Sequence, residues 1–110
     1  MQLEIKTWPQ DIDRSITEIY EFLDNCNNFK KFNKDLKTKK AIERNIEIIG
    51  EALNRILKIQ PEISISDSRK IVDTRNSIIH GYDTITADVL WLIVTKYIPV
   101  IGQEVKQLLK

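Results

Sequence analysis

The segment DLKTKKAIERNIEIIGEALNRILKIQ, residues 35–60, constrains the fold more than any other part of the chain. Ile42, Ile46, Ile49, Leu53, Ile56 and Leu57 recur at the three- and four-residue intervals that line up one side of an α-helix. Ala41, Ile48, Ala52 and Ile59 widen this stripe by roughly a further third of the wheel, at about 100° per residue. A stripe so broad predicts burial against two neighbours, such as a bundle core and a partner subunit. Pro61 ends the helix.

Three other segments follow the same rule. In PQDIDRSITEIYEFLDNC, Ile12, Ile16, Ile19, Tyr20 and Leu23 fall at helical spacing, and Pro9 suits a helix start. CNNF reads as a break. After the loop PEISIS, Ser66 or Asp67 can cap a third helix, SRKIVDTRNSIIHGY, which Gly81 terminates. Thr86 can cap the fourth, ADVLWLIVTKYI, which is apolar almost all round and therefore expected at the centre of the bundle. Pro99 either kinks it or begins a short last helix with Val105, Leu108 and Leu109 as its apolar face. Nothing requires a sheet. The expected fold is all-α, an antiparallel bundle of four to five helices forming a single domain over residues 1–110.

Composition removes several function classes. The formal net charge is +1, so any basic surface for nucleic acid must be local. With one cysteine, Cys26, and one histidine, His80, neither an internal disulfide nor a zinc site is supported, and no cofactor is expected. The opening residues lack the apolar core of a signal peptide, and the longest apolar run, VLWLIV, is far too short to span a bilayer. A cytoplasmic protein without membrane partners is expected.

Chemistry concentrates in TRNSIIHGYDTI, residues 74–85. On an ideal wheel Ile71, Val72, Ile78 and Ile79 define the core face of this helix, and Arg75 falls near its middle. A guanidinium there needs a carboxylate, a cavity or a bound anion, because a buried unpaired cation costs several kcal/mol. Arg75 can also snorkel outward or pair with a Glu of the preceding long helix. His80 lies about 140° further round, so the two side chains of one continuous helix point apart. They converge if the helix ends near His80 or if two subunits share the site. Asn76, four residues before His80, can orient the imidazole. Together these groups suit phosphodiester cleavage. An imidazole takes the proton of a ribose 2′-OH or protonates the leaving 5′ oxygen, and an arginine stabilises charge growing on phosphorus. Neither step needs a metal.

Two further features stand out. Asn45 sits inside the apolar arc of the long helix and either fixes helix register through a core hydrogen bond or reaches the Arg75–His80 site. Glu43, Glu47 and Glu51 fall mostly on its polar face and are expected in solvent. The run KKFNKDLKTKK, residues 30–40, carries Lys30, Lys31, Lys34, Lys37, Lys39 and Lys40 beside Phe29 and Phe32. It is either a solvated face or a track for a phosphate backbone.

The Arg-Asn-x-x-x-His-x-Tyr pattern of Arg75, Asn76, His80 and Tyr82, preceded some thirty residues earlier by AIERNIEIIGEALNRIL, resembles the HepT-like toxins of the HEPN superfamily. The resemblance covers nearly the whole chain. It implies an all-α homodimer in which the Arg and His of two subunits meet at the interface. It also implies a metal-independent ribonuclease acting on tRNA or mRNA, toxic to the cell and paired with an MntA-like nucleotidyltransferase antitoxin. Carried over, Arg75 and His80 are catalytic, Asn76 is supporting, and Tyr82 is the residue that AMPylation would modify. AMP at Tyr82 would set a bulky anion two residues from His80 and repel RNA. Two other classes compete: a non-catalytic HEPN-like binding subunit of a minimal nucleotidyltransferase, and a plain helical interaction module whose Arg75 and Asn45 are structural.

Overall fold

The computed structural model describes residues 3–24, 26–81 and 85–110. They form α1 (Leu3–Leu23), α2 (Phe29–Lys34), α3 (Leu36–Ile59), α4 (Ser68–His80), α5 (Ala87–Leu92), a π-helical turn (Ile93–Tyr97) and α6 (Ile98–Leu108). The architecture is the all-α antiparallel bundle expected from the hydrophobic spacing. Helix α3 is its spine, packed against α1 on one side and α4 on the other, while α6 closes on α1 and α5 on α2. Ile42, Ile46, Ile49, Leu53, Ile56 and Leu57 of the predicted α3 stripe are all buried, and the core continues through Ile12, Ile19, Ile71, Leu90, Ile98 and Ile101. Among the described residues, no helix is long and apolar enough to cross a membrane.

The helix ends differ from the expectation in instructive ways. Helix α1 begins before Pro9, which lies inside it and is buried. Burying the ring offsets part of the lost backbone bond. The break at residues 26–28 is short, because Asn28 caps an additional helix by accepting from the Lys31 N–H at 3.0 Å. Asp35 then caps α3, accepting from the Thr38 N–H at 3.0 Å. Asp67 holds the N-cap position of α4 in the left-handed region (φ 56°) without a side-chain cap bond, and Thr86 likewise leaves α5 uncapped by its hydroxyl. Ser66 is engaged elsewhere: its N–H and hydroxyl both donate to the Glu104 carboxylate, each at 2.9 Å. Gly81 terminates α4 as predicted, at φ 62°, with its N–H on Ser77 O at 3.0 Å.

The fourth predicted helix is not central. Leu90, Ile93, Val94, Ile98, Ile101 and Val105 are buried, but Val89, Leu92 and Val100 are exposed. A bundle this small has no further layer to cover that side. Pro99 does not break the helix either. Because Pro99 has no N–H to give the preceding turn, the backbone widens to π geometry, and the Ile98 N–H reaches back to Ile93 O.

Candidate functional site

Arg75 projects from the middle of α4 onto α3. The approach is possible because α3 carries Gly50 at that point. A methyl group on Gly50 would collide with Arg75 Cβ and lie 3.1 Å from the Ile71 carbonyl oxygen. Glycine inside a helix costs about 1 kcal/mol relative to alanine, and here it lets two helix backbones and the base of an arginine share one crossing. The Arg75 side chain is only 20 % exposed, and its guanidinium forms an ion pair with Glu51, the neighbour of Gly50. Arg75 Nη1 also donates to Asn76 Oδ1 at 2.8 Å. Glu51 Oε1 in turn accepts from Arg55 Nε at 2.8 Å, so one carboxylate serves two guanidinium groups. The cation expected on the core face of α4 is thus paired with a glutamate of the long helix. Glu51 departs from the solvent position expected for it, because Gly50 beside it brings Arg75 within reach.

Arg75 Nε is buried without a hydrogen-bond partner among the described residues. The guanidinium forms part of the wall of a cleft of about 340 Å³ between α1, α3 and α4, which Trp8, Arg44, Glu47, Ile48 and Arg55 also line. Arg44 pairs with Glu47, one turn along α3 on the same wall, at 3.3 Å. The cleft carries Arg44, Arg55 and Arg75 beside Asp11, Glu47 and Glu51, and Arg75 is held in place by Glu51 and Asn76.

The structure separates the other candidates. His80 is exposed in the last turn of α4 and does not line the Arg75 cleft. Asn76 engages Arg75 and shows no bond to His80 among the described residues. Asn45 is buried and donates Nδ2 to Ala41 O of its own helix at 3.0 Å, while its Oδ1 finds no donor among the described residues. Tyr82 lies outside the described residues. Within one chain Arg75 and Asn76 are therefore together, and His80 stands on a different side of the same helix, as the 140° offset anticipates. Among the described residues no cluster of His, Cys, Asp or Glu has the form of a metal site.

Sequence reasoning missed Gly50 and Glu51. The signal for Gly50 was an isolated glycine in a strongly periodic helix, which commonly marks close backbone approach. Glu51 carried no signal beyond its position next to that glycine.

Residues 12–108 match the family described as "Ribonuclease HepT-like". The chain is 34% identical over 115 residues to a Thermococcus cleftensis protein named "Probable ribonuclease HepT", with all of both chains covered. It is 27% identical over 111 residues to a Methanocaldococcus jannaschii protein named as a "Putative RNase", covering 97% of this chain and 88% of that one. A Caldanaerobacter subterraneus protein, also named a "Putative RNase", is 31% identical over 84 residues, 76% of this chain and 75% of its own. No solved structure matches the chain. With the family match running from the middle of α1 to the end of α6, the chain belongs to the HepT-like ribonuclease family, of HEPN type.

Proposed function

We propose that this protein is a metal-independent ribonuclease toxin of a type II toxin–antitoxin pair, cutting RNA at a site shared by two subunits. The observation that carries the reading is the arrangement of Arg75. A largely buried guanidinium is fixed by Glu51 and Asn76 at the edge of a cleft, on the helix whose end presents His80. In this reading His80 takes the proton of the ribose 2′-OH as that oxygen attacks phosphorus, or returns one to the leaving 5′ oxygen. Arg75 stabilises the charge on the pentacovalent phosphorus, and its fixed position lowers the cost of reorganising around that charge. Asn76 supports by holding Arg75. Because Arg75 and His80 of one helix face different directions, the complete site is assembled in a homodimer, with Arg75 of one protomer facing His80 of its partner.

Control falls to an MntA-like nucleotidyltransferase antitoxin that AMPylates Tyr82. The added phosphate sits two residues from His80 and excludes the RNA backbone by bulk and like charge.

The test is RNA cleavage by purified, unmodified protein in excess EDTA, beside His80→Ala and Arg75→Ala. The expected result is cleavage by wild type alone, with helix content and mass unchanged in the variants. Equal cutting by wild type and His80→Ala would remove His80 from the site. Failure of wild type to cut a mixed tRNA and mRNA pool would favour the non-catalytic binding subunit. Co-expression with the antitoxin should add AMP masses that Tyr82→Phe abolishes.

A further inference from the structure

The lysine-rich stretch is unused by the site described above, and the structure gives it a shape. Residues 29–40 contain six lysines and a single acidic residue, in a chain whose whole net charge is +1. The remainder of the molecule is therefore net negative. Asp35, the one acid in the stretch, is committed to the joint between α2 and α3. Its Oδ1 caps α3, and its Oδ2 accepts from the Cys26 thiol at 3.4 Å. Among the described residues the only ion pair made by these lysines is Lys40 to Glu43, at 3.8 Å on the surface.

Five of the six lysines stand along two hollows that share Leu36 in their lining. Lys31, Lys34 and Lys37 line a shallow one that ends at Leu36. On the other side of Leu36 a groove of about 630 Å³ begins, lined by Phe29, Asn33, Lys39 and Lys40, with the carboxylates of Glu43 and Asp88 also on its wall. Its far wall is the end of α4, at Ile78 and Gly81, the latter adjacent to His80. Leu36 is 64 % exposed at the ridge between the hollows, and Phe29 is also exposed, with its ring edge-on to Trp91 at 6.2 Å between centroids. A cationic ledge with apolar and aromatic surface set into it matches a single nucleic-acid strand, which offers phosphates on one side and unpaired base faces on the other.

We infer that the α2–α3 ledge, from Lys31 to Lys40, binds a single strand of substrate RNA and delivers it to the end of α4, with bases against Leu36 and Phe29. The inference rests on the ribonuclease reading for the identity of the strand. Binding of a short single-stranded 2′-O-methyl RNA, which lacks the 2′-OH needed for cleavage, separates the two. Fluorescence anisotropy would be measured over a series of KCl concentrations. The triple variant Lys34→Gln/Lys37→Gln/Lys39→Gln should bind at least tenfold more weakly. It should also lower the slope of log affinity against log salt by about 2, at roughly 0.7 for each phosphate of a single strand that no longer meets a cation. Leu36→Ser and Phe29→Ala should weaken binding about fivefold or more and leave that slope unchanged. Lys58→Gln/Lys106→Gln/Lys110→Gln removes the same charge elsewhere and should have little effect.

Equal losses from the two triple variants would overturn the ledge as a site and leave only a general field. A duplex bound as tightly and with the same dependence would overturn the single-strand assignment. Ledge-dependent binding without cleavage of ordinary RNA by wild type would uphold the ledge and defeat the ribonuclease reading. No binding by wild type would overturn the ledge, and the ribonuclease reading would fall with it only if wild type also left ordinary RNA uncut.

Discussion

At its N-terminal end α4 is fastened, and at its C-terminal end it is presented. Ser68, Ile71 and Val72 are buried, Lys70 donates to Tyr97 Oη at 3.3 Å, and Ser66 just upstream is anchored on Glu104 of α6. The hydrogen bond from Lys70 to Tyr97 and the Asp67 carboxylate hold its ammonium above the ordinary lysine value. Further along, Ile79, His80 and Gly81 are all exposed. Arg75 sits at the changeover, locked by Gly50 and Glu51 below and facing a cleft above. Rigidity at one half and exposure at the other is what a site needs when one protomer supplies only part of it.

The sharpest way to break this contrast is at Gly50. Gly50→Ala gains about 1 kcal/mol of helix propensity in isolation. Against that stands a collision with the base of Arg75 and with the Ile71 backbone, neither of which can swing aside. Overpacking of this kind costs about 1–3 kcal/mol, and Gly50→Val should cost more. The expected result is a lower melting temperature for Gly50→Ala, by about 5–10 °C, and failure of Gly50→Val to fold. An alanine variant more stable than wild type would mean that the α3–α4 seam is loose and that Arg75 is not locked there.

Next in size is the Arg75–Glu51 pair. A fully buried pair broken on one side loses about 3–5 kcal/mol. Here Glu51 is 35 % exposed and keeps Arg55, so the loss should be smaller, about 1–2 kcal/mol for Arg75→Ala by urea denaturation. A double-mutant cycle with Glu51→Gln should return a coupling of about 1 kcal/mol. In the cleavage assay Glu51→Gln should reduce activity with little change in binding, because it leaves Arg75 charged and merely less well held. Unchanged activity in Glu51→Gln would confine the pair to a stabilising role.

How much of this is legible in the sequence follows from the physics of each feature. The α3 stripe, the Gly81 terminus and the need of Arg75 for a partner are local or pairwise properties, written in spacing and in the cost of burying charge. Glu51 is misplaced by a helical wheel because the wheel treats every neighbour as equally distant, whereas a glycine crossing brings one side of α3 much closer to α4. The fourth helix is misplaced for a related reason. Its composition is apolar all round, yet composition does not say how many layers exist to cover it, and Val89 and Leu92 remain exposed. Helix α2 escapes notice because six residues give too little periodicity, although the Asn28 cap is present in the sequence.

A smaller effect tests whether the basic ledge is built as a fixed platform like the first half of α4. Asp35 joins α2 to α3, and the Thr38 backbone N–H, with the Thr38 and Cys26 side chains, holds its carboxyl below the usual carboxylate value of 3.8. A depressed folded pKa means that the contribution is fully present above the unfolded value and is lost as pH falls through the folded one. Asp35→Ala should therefore melt a few degrees below wild type at pH 7, and the gap should close as pH drops below about 4. A gap that stays constant down to acid pH would show that Asp35 acts there through packing and not through its charge.

The smallest effect on the fold, and the most telling for the contrast, is expected at Ile79. Its side chain is 42 % exposed on the outer side of the α4 end, so Ile79→Ser should change monomer stability by no more than about 0.5 kcal/mol. If the presented half of α4 meets a second protomer, the same substitution should act on assembly. Wild type should sediment as a dimer and Ile79→Ser mostly as a monomer, with cleavage lost in proportion while helix content is retained. Mixing an Arg75→Ala chain with a His80→Ala chain should then restore part of the activity, because one of the two interface sites in a mixed dimer keeps both groups. No restoration from a mixture shown to exchange subunits would place Arg75 and His80 of the same chain in one site, and would give the exposure of Ile79 a different meaning.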